Sequence, residues 1–217
     1  MNYSRARQAM IDGQLTPNKV ADKQILSRFQ EVAREYFVDV SHRENAYSDT
    51  LIAISPERNL MPPLVCARMI QGLEPKPQDK VLVLAAGSGY SVAIFTSMVK
   101  EIHAVEDNMI LFEMAKRSLM DSKCKSAVFH EGKPELGLSK YAPYDKILID
   151  APVQYIPNQI WDQLKDGGKL AAVKEESSGL FSVTIYTKNG RKVEAENLFE
   201  TGGKVLENFK QPRTFNF

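Results

Sequence analysis

Cysteine, histidine and tryptophan are scarce in this chain: 2, 3 and 1 among 217 residues. Two isolated thiols, Cys66 and Cys124, exclude a disulfide framework and a cysteine-built zinc site, and both are expected as buried, reduced groups. An excess of charge of one sign is missing too. With 28 basic and 27 acidic residues the net charge is +1, too small a field to gather nucleic acid or an anionic membrane. No run approaches the ~20 apolar residues of a membrane span. The opening MNYSRARQAMIDGQL lacks the continuous apolar stretch of a signal peptide. A cytoplasmic chain without nucleic-acid or membrane partners is expected. Repeats and low-complexity tracts are absent as well, and the length suits one compact unit with a sizeable core.

What is present alternates between two patterns. Residues 4–35 are helix-prone, with Ile25, Phe29 and Val32 at helical spacing and with breaks or caps at Thr16-Pro17-Asn18 and Ala21-Asp22. Residues 46–63 carry three prolines and no clean period, which predicts a loop with one short strand. Such long loops tend to carry function. Helical spacing resumes over 64–72. Apolar, β-branched runs then predict strands at 81–85, 102–106, 126–130, 145–151 and 169–174, with helices near 89–99, 108–121 and 157–165, the grammar of a parallel sheet covered on both faces. After Val173 the pattern becomes FSVTIYT, Lys188-Asn189-Gly190 and RKVEAENLF, an antiparallel hairpin closing one sheet edge. The expected fold class is α/β, a Rossmann-like doubly wound, mostly parallel sheet. Residues 1–76 form a helical cap and loop, and 77–217 the core.

The richest segment is KVLVLAAGSGY, residues 80–90, followed by IHAVED ending at Glu106 and Asp107. Gly87 and Gly89 let backbone approach a ligand, and the helix that starts near Tyr90 offers free N–H groups. Small-residue turns also serve packing alone. A dinucleotide fingerprint would want a third small residue where Val92 stands, which argues against NAD. A carboxylate at Glu106, at the end of the second strand, suits both hydroxyls of a ribose. Asp107 reads better as part of a solvated helix start near Asn108. Turn and acid together favour an adenosine ligand without a pyrophosphate.

The order of EVAREYFVD (31–39), AYSD (46–49), Pro63, VCARM (65–69), KVLVLAAGSGY, APYDKILID (142–150), Ile156-Pro157 and QLKDGGKL (163–170) resembles that of the protein-L-isoaspartate O-methyltransferase family, over nearly the whole chain up to about Leu170. The resemblance implies a class I methyltransferase sheet with S-adenosylmethionine as cofactor and methylation of the carboxylate of isoaspartyl residues in damaged proteins. It implies cofactor contacts at Ala85, Gly87, Ser88, Gly89, Tyr90, Glu106, Asp107, Gly132, Lys133 and Asp150, and a substrate loop containing Arg58, Asn59 and Met61.

Several positions depart from that pattern. The family's Gly-Gln-Thr-x-Ser-x-Pro loop, which holds the substrate carboxylate, is replaced by Glu57 to Pro63, with Asn59 for the Thr and Met61 for the Ser. The first-strand acid is Val83, the first turn glycine is Ala85, the Thr is Ala86, and the acid facing the adenine amine is Lys133. The family's Pro-Val-Gly after the fifth strand is Val173-Lys174-Glu175. A carboxylate of pKa ~4 is ionised at neutral pH and needs no general base to accept a methyl group, so alignment is the main requirement. Arg58 suits a carboxylate through paired N–H groups, and pairing with Glu57 or solvent is the plainer alternative. Two further readings stay open: a binding or scaffold protein descended from the family, and a methyltransferase with another acceptor. His103 and His130, with no partner cluster in the sequence, are expected at strand ends or the surface. Phe215 and Phe217 are expected to tuck against the sheet.

Overall fold

The computed structural model describes residues 2–121, 127–177 and 179–211; Cys124, Phe215 and Phe217 lie outside them. The cap begins with α1 (Tyr3–Met10), continues through a π-helical turn at 11–15 and a 3-10 turn at 16–18, and reaches α2 (Lys23–Glu31). Asp22 caps α2 by accepting from the Gln24 and Ile25 backbone N–H groups at 2.8 and 3.0 Å, which satisfies two of the donors a helix start leaves open.

Where one strand was expected in 46–63, there are two. β1 (Ile52–Ser55) and β2 (Arg58–Leu60) pair antiparallel as a separate two-stranded sheet. Prolines at 56, 62 and 63 sit in its turn and beyond its end, where no ladder donor is needed. α3 (Pro63–Leu73) leads into the main sheet.

That sheet contains β3 (Lys80–Leu84), β4 (Glu101–Glu106), β5 (Ala127–Glu131), β6 (Tyr144–Val153), β7 (Leu164–Ser177), β8 (Leu180–Asn189) and β9 (Lys192–Thr201), in the order β5-β4-β3-β6-β7-β8-β9. Pairing is parallel from β5 to β7 and antiparallel from β7 to β9. Alternate residues of each buried strand enter opposite cores. Val81, Val83, Ala171 and Val173 join the core shared with the cap residues Phe29 and Met69, whereas Leu82, Leu84, Leu170 and Ala172 pack on the other face, as the two-residue period of a strand requires.

The helices between strands are α4 (Tyr90–Phe95), α5 (Met109–Asp121) and α6 (Asn158–Gln163). α4 stops four residues before its expected end. Arg28 of α2 donates to the Ala93 carbonyl and to Thr96 Oγ1, both at 2.9 Å, and closes the helix from outside. α6 ends early because Leu164 turns to extended backbone and starts a β7 longer than expected. Beyond β9, residues 202–211 cross the carboxyl ends of the parallel strands. Leu206 N–H donates to the Pro152 carbonyl at 3.0 Å, and Gln154 and Tyr155 N–H groups donate to the Phe209 carbonyl at 2.9 and 3.2 Å. No helix among the described residues is long and apolar enough to cross a membrane.

Candidate functional site

β3 lies between β4 and β6, so successive crossovers leave it in opposite directions, and a crevice opens beyond its carboxyl end. The turn there holds three residues in the left-handed region: Ala85 at φ 55°, Gly87 at 56° and Gly89 at 87°. Ala85 therefore keeps the backbone shape that a glycine would take more cheaply. The two glycines have different duties. A Cβ on Gly89 would sit 3.1 Å from the Ala115 Cβ and 3.3 Å from the Phe129 ring, so Gly89 permits close packing of α4 against α5. A Cβ on Gly87 would meet Ile54 Cδ1 at 3.0 Å and Arg58 Nη2 at 3.5 Å. The face that Gly87 opens is taken by the β1–β2 hairpin.

Glu106 lies at the centre of this junction, 0 % exposed. Gly87 N–H donates to its Oε2 at 2.7 Å, and Asn108 N–H donates to Oε1 at 3.1 Å. Arg58, 6 % exposed, donates from Nη1 to both oxygens at 3.2 and 3.1 Å and from Nη2 to the Ala85 carbonyl. Arg58 thus faces neither Glu57 nor solvent. Burial of both charges is tolerable only because each is hydrogen-bonded on several sides. Beside them, Asp150 accepts from Ser91 Oγ at 2.6 Å, and burial pushes its carboxyl above the usual range against the pull of that hydrogen bond and of Arg58 and Arg34.

The other expected site residues scatter around this centre. Met61 is buried and Asn59 half-buried; they line a cavity of about 10 Å³ with Ala151, Pro152, Lys204 and Leu206, barely the space of one water. Gly132 N–H donates to the Glu106 carbonyl at 3.2 Å, and Lys133 is exposed before a 3-10 turn at 134–136. Asp107 is exposed and does not cap α5. Asn108 does, through Oδ1 to the Ile110 and Leu111 N–H groups. Asn208 of the C-terminal crossing donates to Asp107 and to Glu135 at 3.0 and 2.8 Å. Ser88 is buried, and its Oγ has no hydrogen-bond partner among the described residues. Tyr90 turns its ring into the cap, edge-on to Phe29 and Phe37 and 4.6 Å under the Arg34 guanidinium.

Sequence patterns did not mark Ile54, Arg34 or the 206–209 crossing. Arg34, fully buried, donates to the Ala46 carbonyl at 2.7 Å and to the Met61 carbonyl, tying both ends of the segment that carries the hairpin. Ile52 and Ile54 alternate with exposed residues, a faint strand signal inside the proline-rich stretch.

His103 departs from the sequence expectation, and the two histidines do form a partnered cluster, while His130 lies next to the end of β5 as expected. His103 is buried in mid-β4, with Nδ1 2.9 Å from His130 Nε2 and Nε2 2.6 Å from Glu101 Oε1, under the stacked ring of Tyr141. Glu101 and His103 are two apart on one strand face, and His130 is paired with Val105 on that same face, a juxtaposition created by strand pairing alone.

For the adenosine-type cofactor implied by the resemblance, the acceptors match but the room does not. Glu106 and the Ala85 carbonyl are acceptors of the kind a ribose and a cationic amine need, yet Arg58 donates to both and Ile54 lies against Gly87. In this conformation the cradle does not admit the cofactor.

Residues 5–201 match the family model described as protein-L-isoaspartate(D-aspartate) O-methyltransferase. Among relatives, the protein-L-isoaspartate O-methyltransferase of Roseiflexus sp. (strain RS-1) is 33% identical over 170 residues, 78% of either chain. That of Bordetella parapertussis is 34% identical over 174 residues, 79% of this chain and 67% of its own. A solved protein-L-isoaspartate O-methyltransferase superposes with a TM-score of 0.82 at 22% identity, covering 94% of this chain and 67% of the other. A second, described as a putative protein-L-isoaspartate O-methyltransferase from Plasmodium falciparum in complex with S-adenosyl-L-homocysteine, gives 0.76 at 18% identity, over 96% and 99%. These two likenesses establish the shared fold.

Proposed function

Because the chain belongs to the protein-L-isoaspartate(D-aspartate) O-methyltransferase family, we propose that it transfers a methyl group from S-adenosylmethionine to a carboxylate of a damaged protein or peptide, with Glu106 and the 85–89 turn on the cofactor side, Asn59 and Met61 on the acceptor side, and Arg58 between them, seated here on Glu106 and Ala85. Family membership speaks against a scaffold that has lost catalysis. The observation that carries the assignment of sides is the Gly87 N–H bond to Glu106, which fixes a carboxylate beside the turn where a nucleoside's hydroxyls would seek an acceptor.

The chemistry asks little of the chain beyond positioning. The acceptor carboxylate is already ionised at neutral pH, and the histidine cluster at 101–103 and 130 belongs to β4 and β5 rather than to the turn. Alignment and exclusion of water are the contributions left to the protein. The cradle as closed here does not take up the cofactor, so no step is assigned to this conformation. The buried free thiol of Cys66 is in keeping with a reducing compartment, and we place the reaction in the cytoplasm as part of protein repair. A labelled-methyl assay comparing an isoaspartyl peptide with its aspartyl counterpart tests the reading. Label on the isoaspartyl peptide alone is expected; equal label on both would point to a different acceptor, and none on either would overturn the proposal.

A further inference from the structure

Arg58 reproduces the donor pattern of the ligand that the cradle is built for. A ribose presents hydroxyl donors to a carboxylate; here Nη1 supplies both bonds to Glu106, at 3.2 and 3.1 Å. A cationic amine would seek the turn carbonyl; here Nη2 donates to Ala85 O. With the Gly87 and Asn108 N–H groups also bound, the two carboxylate oxygens accept four bonds, about their full capacity. A nucleoside and Arg58 are therefore mutually exclusive at Glu106. Ile54 makes the exclusion steric, because it lies against the Gly87 backbone that the missing side chain leaves open.

The plug stands outside the main ladder, although Ile52, Ile54 and Leu60 pack into the core shared with the cap. Among the described residues β1 and β2 pair with each other and with no strand of the seven-stranded sheet, so withdrawing them leaves the main ladder intact. An open cleft of about 490 Å³, bordered by Glu57, Asp107, Asn108, Leu206 and Asn208, already reaches Arg58 from outside. We propose that this is a cofactor-closed resting state in which Arg58 holds the nucleoside's seat, and that S-adenosylmethionine enters only as the 52–60 hairpin carries the guanidinium off Glu106 and Ala85. The inference rests on the cofactor reading given above and adds a competitor inside the chain.

A closed state that must open before binding weakens the apparent affinity by the open fraction. Calorimetry with S-adenosylhomocysteine on the wild type, Arg58→Ala, Arg58→Lys and Ile54→Ala tests this directly, alongside amide hydrogen exchange of residues 52–60 with and without the ligand. Arg58→Ala is expected to bind at least ~10-fold more tightly than the wild type. Arg58→Lys keeps a cation but not the two-pronged geometry and falls between them; with Ile54→Ala it keeps the test open should Arg58→Ala not fold. Ligand is expected to speed exchange in the wild-type hairpin, the reverse of ordinary protection. Equal affinity in wild type and variants, with unchanged or slowed hairpin exchange, would overturn the gate and leave the cofactor reading standing. Absence of binding to every variant at millimolar ligand would overturn both.

Discussion

Arg58 Nη1 lies within hydrogen-bond distance of both carboxylate oxygens of Glu106, at 3.2 and 3.1 Å, although 48 residues separate them in sequence. The pair joins the detached hairpin to the end of β4 through two charges almost wholly out of water.

Truncating one member leaves the other charge buried. Arg58→Ala is expected to cost roughly 3–5 kcal/mol, nearer the lower figure because Glu106 keeps its two backbone donors. The double variant Arg58→Ala/Glu106→Gln should cost clearly less than the sum of the single changes. Denaturant unfolding measures this, and additive losses would show that the two residues do not interact in solution.

The glycines of the turn should rank unequally. Both need positive φ, but Gly87 faces the tip of a flexible isoleucine, whereas Gly89 faces Ala115 on α5, its backbone included. Gly89→Ala is expected to destabilise by about 1 kcal/mol or more beyond Gly87→Ala, since forcing apart a helix contact distorts a packed core. Thermal melts giving the opposite order would contradict the packing duty assigned to Gly89.

Asp150 should make the protein less stable as pH rises. Burial raises its folded pKa above the unfolded value of ~3.9, so the folded state binds the proton more tightly. Stability then falls from about pH 4 upward through the folded pKa and stays lower at neutrality. Asp150→Asn removes this loss: its melting temperature should exceed the wild type's at pH 7 and converge with it below about pH 4. A lower value at pH 7 would mean that Arg58 and Arg34 outweigh burial.

His130 has the opposite sign. Burial, then His103 and Lys140, hold its pKa below the ordinary value. As pH falls through ~6.5 the unfolded chain takes up the proton first, and stability present above that pH is lost down to the folded pKa. His130→Gln should flatten the melting-temperature profile over this acidic window. A variant with the wild-type slope would place the sensitivity elsewhere.

The parallel strands were legible because runs such as KVLVL and KILID are apolar on both alternating faces, which only a doubly covered sheet satisfies. The C-terminal hairpin was legible through Asn189-Gly190, where Gly190 takes φ 61°. Contacts made across long separations were not. The end of α4 is closed partly by Arg28, 65 residues from Ala93, beside the local bond from Thr96 Oγ1 to the same carbonyl; the His103–His130 pair depends on strand register; and the seat of Arg58 depends on where a two-stranded ribbon folds back. A sequence marks which residue types can bind a carboxylate. It did not mark that the carboxylate would be Glu106.

Arg34 clamps the carbonyls at Ala46 and Met61, just outside the hairpin, and this confines what can happen when the hairpin lifts. With both ends held, the displaced guanidinium stays tethered near Glu106 at a local concentration on the order of millimolar, as for short flexible linkers. Closure is thus an intramolecular event, indifferent to how dilute the protein is. The cofactor level needed to hold the site open then depends on how closely that segment returns Arg58 to Glu106 as well as on the bonds made there, and shifting either anchor would reset that threshold without touching Glu106 or the 85–89 turn.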